Sequence, residues 1–212
     1  MKLILTARDV PLANAWSKFC GDLEFVSVHR GSIFDVQCDA VVSPANSFGF
    51  MDGGIDALYT DKFGPAVQDR LRRAILARHH GELLIGCAEI VETDHPLMPY
   101  LIAAPTMRVP MVLGSDTINP YLATRAVFLL IKYGLFPDGL FIGERLAEHL
   151  QVIAFPGMGT GVGRVPVEIA ARQVRAAIDD HLQDRFRLPT SWAEASERHQ
   201  LLYTDNPTRL QY

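Results

Sequence analysis

At 212 residues the chain is sized for one domain, since two halves would each bury too little apolar surface to stand alone. Hydrophobic residues make up 49% and charged ones 21%, which excludes a disordered chain, and no apolar run approaches the roughly 18 residues of a membrane span. A formal net charge of −4 argues against a strong sequence-independent grip on nucleic acid, whose affinity comes largely from Lys and Arg, and leaves room only for a local basic patch.

Read in chain order, the first ten residues, MKLILTARDV, give a strand over 2–6, whose apolar run is too short for the core of a signal peptide. A helix over 12–19 and a strand over 25–28 follow. Ala40, Val41 and Val42 form a fully apolar run that stops at Ser43-Pro44, the mark of a buried strand opening onto a loop, here residues 44–56. Val67, Leu71, Ala74, Ile75 and Leu76 recur at helical spacing, and that helix ends before Gly81, with His79-His80 at its C-terminal cap. Strands over 89–92 and 100–104, a helix over 121–133 and a Gly/Pro-broken segment without evident chemistry, 134–143, lead to a buried strand over 151–155. A second glycine-rich loop, 156–165, runs into a helix opened by Pro166, with Val167, Ala170, Val174, Ile178 and Leu182 on one face.

Alternating strands and helices predict an α/β fold over residues 1–185. Residues 186–212 are more polar and read as an appendage, with Ser191 and Glu194 spaced for a capping box. Cys20, Cys38 and Cys87 lie far apart without a C-x-x-C pair, so neither a disulfide framework nor a zinc site is indicated, and a reducing cytoplasm is the expected compartment. Cys38 and Cys87 read as small core residues, and Trp16 and Trp192 as packing anchors.

The chemistry lies in the two glycine-rich loops. Each follows an apolar strand and precedes a helix, where backbone N–H groups and the positive end of the helix dipole suit phosphate oxygens. Either loop alone could serve only a tight turn, but two such units suggest a clamp on a diphosphate. A Walker-type loop is excluded because the second loop lacks the Gly-Lys-Ser/Thr ending, and the glycines at 157, 159, 161 and 163 do not make the dinucleotide pattern G-x-G-x-x-G.

The stretch GSIFDVQCDAVVSPANSFGFMDGGIDALYTDKFGP, residues 31–65, resembles the signature of the macro domain family, with Gly31, Asp39, Asn46, Gly53, Gly54, Asp56 and Gly64 in place. The second loop, IAFPGMGTGVGRVP at 153–166, is similar to that family's Phe-Pro-x-x-x-Thr-Gly-x-x-x-x-Pro at Phe155, Pro156, Thr160, Gly161 and Pro166. The resemblance implies a three-layer α/β/α sandwich with a mixed central sheet and a cleft that takes ADP-ribose or a related small nucleotide. Its chemistry requires no metal and no cofactor, composition gives no reason to expect a membrane, and an ADP-ribosylated macromolecule is allowed as a partner.

Residue by residue, it places Asp39 beside the adenosine end, with Ser32 and Ile33 at the base, and Ala45 in the first loop. Gly53, Gly54 and Ile55 give backbone contacts to the diphosphate, closed from the other side by Gly157, Met158, Gly159, Thr160, Gly161, Val162, Gly163 and Arg164. Asn46 matches the asparagine that binds the distal ribose, and Asp56 the aspartate that hydrolytic members use near the reacting carbon. Removing ADP-ribose needs a positioned water, a group to accept its proton and a partner for the ribose hydroxyls, which suits this pair. Asp56 could equally favour a helix N-terminus and Asn46 a turn, so a hydrolase and a non-catalytic reader both stay open.

Three departures matter. The family's adenine-recognising aspartate is Ser32 here, a weaker acceptor that opens the site to a different base. Ser43 and Pro44 replace an asparagine and an alanine, and Met51 and Asp52 replace glycines. Gly163 takes the place of an aromatic residue, followed by Arg164, a candidate phosphate contact or a partner for Asp52.

Overall fold

In the computed structural model, which describes residues 1–44 and 46–208, six strands form one sheet in the order β2-β1-β6-β3-β5-β4. They are β1 (Lys2–Ala7), β2 (Val26–Arg30), β3 (Ala40–Ser43), β4 (Glu89–Glu92), β5 (Tyr100–Ala103) and β6 (Val152–Phe155). All neighbours are parallel except β4 and β5, so the sheet is mixed, with its antiparallel strand at the edge.

The period-2 geometry of a strand sends alternate side chains to opposite faces, and here both faces are covered. Leu3, Leu5, Val42, Ile153 and Phe155 point to one core, which they share with Leu12 and Trp16 of α1 (Val10–Cys20), Val127 of α4 (Asn119–Tyr133) and Val174 of α6 (Val167–Ala177). Ile4, Val41, Leu101 and Ala154 point to the other, shared with Tyr59 of α2 (Gly54–Phe63) and Leu71 and Ile75 of α3 (Ala66–His79). The result is the expected three-layer sandwich. Of the two short helices, α5 (Leu146–His149) adds Leu146 to the first core, whereas α7 (Trp192–Gln200) buries none of its residues.

Several local expectations are refined. Asp9 caps α1 by accepting from the Leu12 amide at 2.9 Å, so that helix starts two residues earlier than the apolar pattern indicates. The apolar face read as one helix over 167–182 is α6 followed by a widened π turn, Ile178–Leu182. His80 ends α3 at φ 53°, while His79 turns to the buried Glu89 carboxylate at 3.0 Å, which also accepts from Arg78 Nε at 2.8 Å.

Two expectations are overturned. Trp192 is 88% exposed, because α7 buries none of its residues, and Cys87 is exposed in the loop before β4. The Ser191 hydroxyl does accept from the Glu194 amide, but Glu194 reaches back to Thr190 rather than to Ser191. Among the described residues no helix is long and apolar enough to cross a membrane.

Candidate functional site

Parallel strands release their chains at a common edge of the sheet, and the crevice outside those carboxyl ends is where α/β folds bind ligands. Here the loops after β1, β2, β3, β5 and β6 gather around a cleft of about 370 Å³. Both glycine-rich loops line it: Gly53, Gly54, Ile55 and Asp56 from one side, and Gly157, Gly159, Thr160, Gly161, Val162 and Gly163 from the other. Ser32, Ile33 and Asn46 line it too.

The first loop enters α2 directly, with Gly53 as its N-cap and the Gly53 carbonyl accepting from Ala57 N at 3.3 Å. The amides of Gly54, Ile55 and Asp56 therefore have no intrahelical acceptor, which leaves donors and the positive dipole end at the cleft. The second loop folds on itself through Val165 N to Gly159 O at 3.1 Å and Arg164 N to Gly161 O at 3.0 Å. Two of its glycines are required by close approach: a Cβ on Gly157 would stand 2.2 Å from Thr160 Oγ1, and one on Gly163 2.6 Å from the Gly159 carbonyl.

Asp56 sits in the first turn of α2, 7% exposed, and still lines the cleft. Ser43, the last residue of β3, donates its hydroxyl to Asp56 Oδ1. Burial pushes the Asp56 carboxyl up to about 7; the Ser43 hydrogen bond opposes that rise and the negative charge of Asp52 adds to it. The group thus changes protonation near neutrality, a useful property for a proton acceptor.

Asn46 is turned to another task. Its Oδ1 accepts from the amides of Phe48 at 3.1 Å and Phe50 at 3.2 Å, and its Nδ2 donates to the Phe50 carbonyl at 2.8 Å. The side chain winds the loop 46–50 into shape, and one Nδ2 hydrogen is left for a ligand.

Three expected residues do not line the cleft. Asp39 precedes β3 at the opposite end of the sheet, where its carboxylate accepts from the amides of Gln151 and Val152, each at 2.7 Å; it ties β3 to β6 rather than flanking a nucleoside. Met158 is fully buried with the core beside Phe155. Arg164, at φ 53°, is exposed, and among the described residues no ion pair joins it to Asp52. Ala45 lies outside the described residues.

The structure also adds residues that sequence reading missed. Arg8 and Asp9 line the cleft from the β1 loop, Phe50 from the first glycine-rich loop, and Thr106, Met107 and Pro110 from the segment after β5. Ser43 was visible only as a departure from the family pattern, and Asp9 carried no signal beyond its charge; contact with the cleft is a tertiary property of each. Among the described residues one trio, Glu144, Glu148 and His149, has ligand atoms close enough to share a cation, but it is at the surface and does not line the cleft.

Comparisons with known proteins agree with this architecture. The structure is similar to the Oceanobacillus iheyensis macrodomain with ADP, at 20% identity and a TM-score of 0.57 over 73% of this chain and 74% of that one. It is likewise similar to the macrodomain of Mycobacterium tuberculosis DarG, at 18% identity and a TM-score of 0.56 over 72% and 88%. In sequence, an uncharacterised protein of Aquifex aeolicus is 33% identical over 147 residues, 69% of this chain and 76% of that protein. The ADP-ribose glycohydrolase MACROD1 of Mus musculus is 26% identical over 161 residues, 76% of this chain and 44% of that protein. The family model for the Macro domain matches residues 42–174, from the end of β3 through both glycine-rich loops and into α6, and the chain belongs to that family.

Proposed function

We propose that the cleft binds ADP-ribose and that the protein hydrolyses ADP-ribosyl linkages, with Asp56 as the group that accepts the proton of the attacking water. The observation that carries this reading is the convergence of two glycine-rich loops on one cleft beside a buried carboxyl at a helix N-terminus. Free amides at 54–56 and the backbone of 157–163 hold the diphosphate, so the charge is met by fixed dipoles rather than by mobile side chains. The name of one relative, ADP-ribose glycohydrolase, and the ADP in one structural neighbour are in keeping with it.

In this mechanism water adds to the anomeric carbon of the distal ribose, and the bond from that carbon to the acceptor breaks with its electron pair leaving on the acceptor atom. Asp56 takes the water proton, and Ser43 fixes the direction of the carboxylate. Asn46 offers its remaining N–H to a ribose hydroxyl.

A second reading, a reader that binds without cleaving, is favoured by Asn46, whose side chain is already committed to its own loop. ADP-ribose titration by calorimetry, and release of ADP-ribose from automodified substrate by wild type and Asp56→Ala, tests both. Binding by both forms with release lost in the variant, by a factor of about 100 or more, supports the hydrolase. Equal release by the two removes Asp56 from the mechanism, and binding with no release by wild type leaves the reader.

A further inference from the structure

We infer that Asp9 selects the base of the bound nucleotide by accepting a hydrogen bond from the exocyclic amine of adenine. The inference rests on the reading of the cleft as a nucleotide site and adds to it the residue that reads the base.

The order of strands fixes which end of the cleft is which. The loops after β3 and β6, neighbours near the middle of the sheet, carry the diphosphate amides and Asp56, whereas β1 and β2 lie to one side. Ala7 of β1 pairs with Arg30 of β2, and the Gly31 amide donates to the Ala7 carbonyl at 2.9 Å. The segments leaving these two strands therefore run side by side, and both line the cleft on the side of β6 away from β3, the strand whose loop leads to Asp56.

A base held there needs apolar contact with its faces and a polar partner at its edge. Leu12 and Ile33 supply apolar surface. The polar atoms of the β2 loop are largely spent within it: the Ser32 amide donates to Asp35 Oδ2 at 2.7 Å, and the Ser32 hydroxyl accepts from the Phe34 amide at 3.3 Å. Thr6 Oγ1 is likewise committed, donating to the Phe155 carbonyl at 3.0 Å.

Asp9 differs. Its Oδ1 is held by the Leu12 amide at 2.9 Å, which fixes the side chain, while Oδ2 meets no donor among the described residues. An ionised carboxylate oxygen only accepts, so it favours an N–H donor at the base edge and repels a carbonyl oxygen. The acceptor that Ser32 does not provide is thus present two residues beyond β1, and adenine, with an amine at C6, suits it where hypoxanthine, with an oxygen there, does not.

Calorimetric titration of the full chain with ADP, IDP and GDP tests this. Wild type is expected to bind ADP at least about ten-fold more tightly than IDP, the size of a hydrogen bond to a charged group. Asp9→Ser keeps an acceptor for the helix cap and loses the free oxygen, so the ADP-to-IDP preference should fall to near unity. Asp9→Asn must keep its oxygen on the Leu12 amide, which turns its NH2 to the base, so the preference should move toward IDP. A merely structural role for Asp9 would weaken both nucleotides alike.

An ADP-to-IDP ratio unchanged in both variants overturns the inference, as does tighter binding of GDP than ADP by wild type. Wild type that binds none of the three, and not ADP-ribose either, overturns the underlying reading of the cleft instead.

Discussion

Asp56 shows how one residue can serve both the cleft and the fold at a cost that depends on pH. Its carboxyl titrates near 7 in the folded chain against an ordinary value of 3.8, because burial disfavours the charged form. The folded state therefore holds a proton that the unfolded chain has already lost, and stability falls as pH rises from about 4 through about 7. Asp56→Asn removes that titration while keeping an oxygen to accept from Ser43. It is expected to be more stable than wild type at pH 8 by about 2–4 kcal/mol, with the gap closing below pH 5. Denaturant melts at the two pH values check this; a gap independent of pH would show that Asp56 is not a strained acid. The catalytic consequence has the opposite sense, since a base must be ionised, and release of ADP-ribose should climb through the same pH window. Asp56 and Asn46 were legible in the sequence as a motif. What Asn46 does with its side chain was not, because its partners are backbone groups of its own loop whose positions depend on how the loop closes.

At the scale of elements, the two glycine-rich loops behave differently although their sequences look alike. Gly53 is extended at φ −141°, and a Cβ there would meet nothing within 4 Å. In the second loop a Cβ on Gly163 would press into the backbone of Gly159 and come 3.1 Å from both Leu113 Cδ1 and Met107 Cε. Gly163→Ala is therefore expected to lower stability by about 1–3 kcal/mol, as overpacking does, whereas Gly53→Ala should change it by less than about 0.5 kcal/mol. Thermal melts of the two variants without ligand are the measurement, and equal losses would refute the distinction. The absence of an aromatic residue at 163 follows from the same geometry, since this position has no room for a side chain unless Gly159 moves. Strand and helix positions were readable because buried parallel strands are apolar throughout and their helices keep one apolar face. The ends of elements were not, as with Asp9, whose cap extends α1 beyond its apolar pattern.

For the molecule as a whole, the packed sandwich and its appendage contribute unequally. The helix α7 buries no residue, and the segment that follows it meets the sandwich through single polar contacts at the surface, such as Arg172 with Asp205 at 2.7 Å and Arg172 with the Leu201 carbonyl at 3.5 Å. Surface pairs of this kind contribute about 1 kcal/mol or less. A chain ending at Arg187 is expected to melt within about 4 °C of the full chain and to bind ADP-ribose equally, measured by calorimetry and titration. A larger loss would make 188–212 part of the domain. Composition, the apolar runs and the spacing of the two loops determined the α/β class and the pairing of two amide-rich turns, because periodicity and glycine placement are local and survive in one dimension. Tertiary structure alone decided that Asp39 faces the far end of the sheet, that Ser43 reaches Asp56, and that Asp9 meets the cleft. Each depends on which strands become neighbours, and strand order is fixed by the packing of two cores rather than by any single segment.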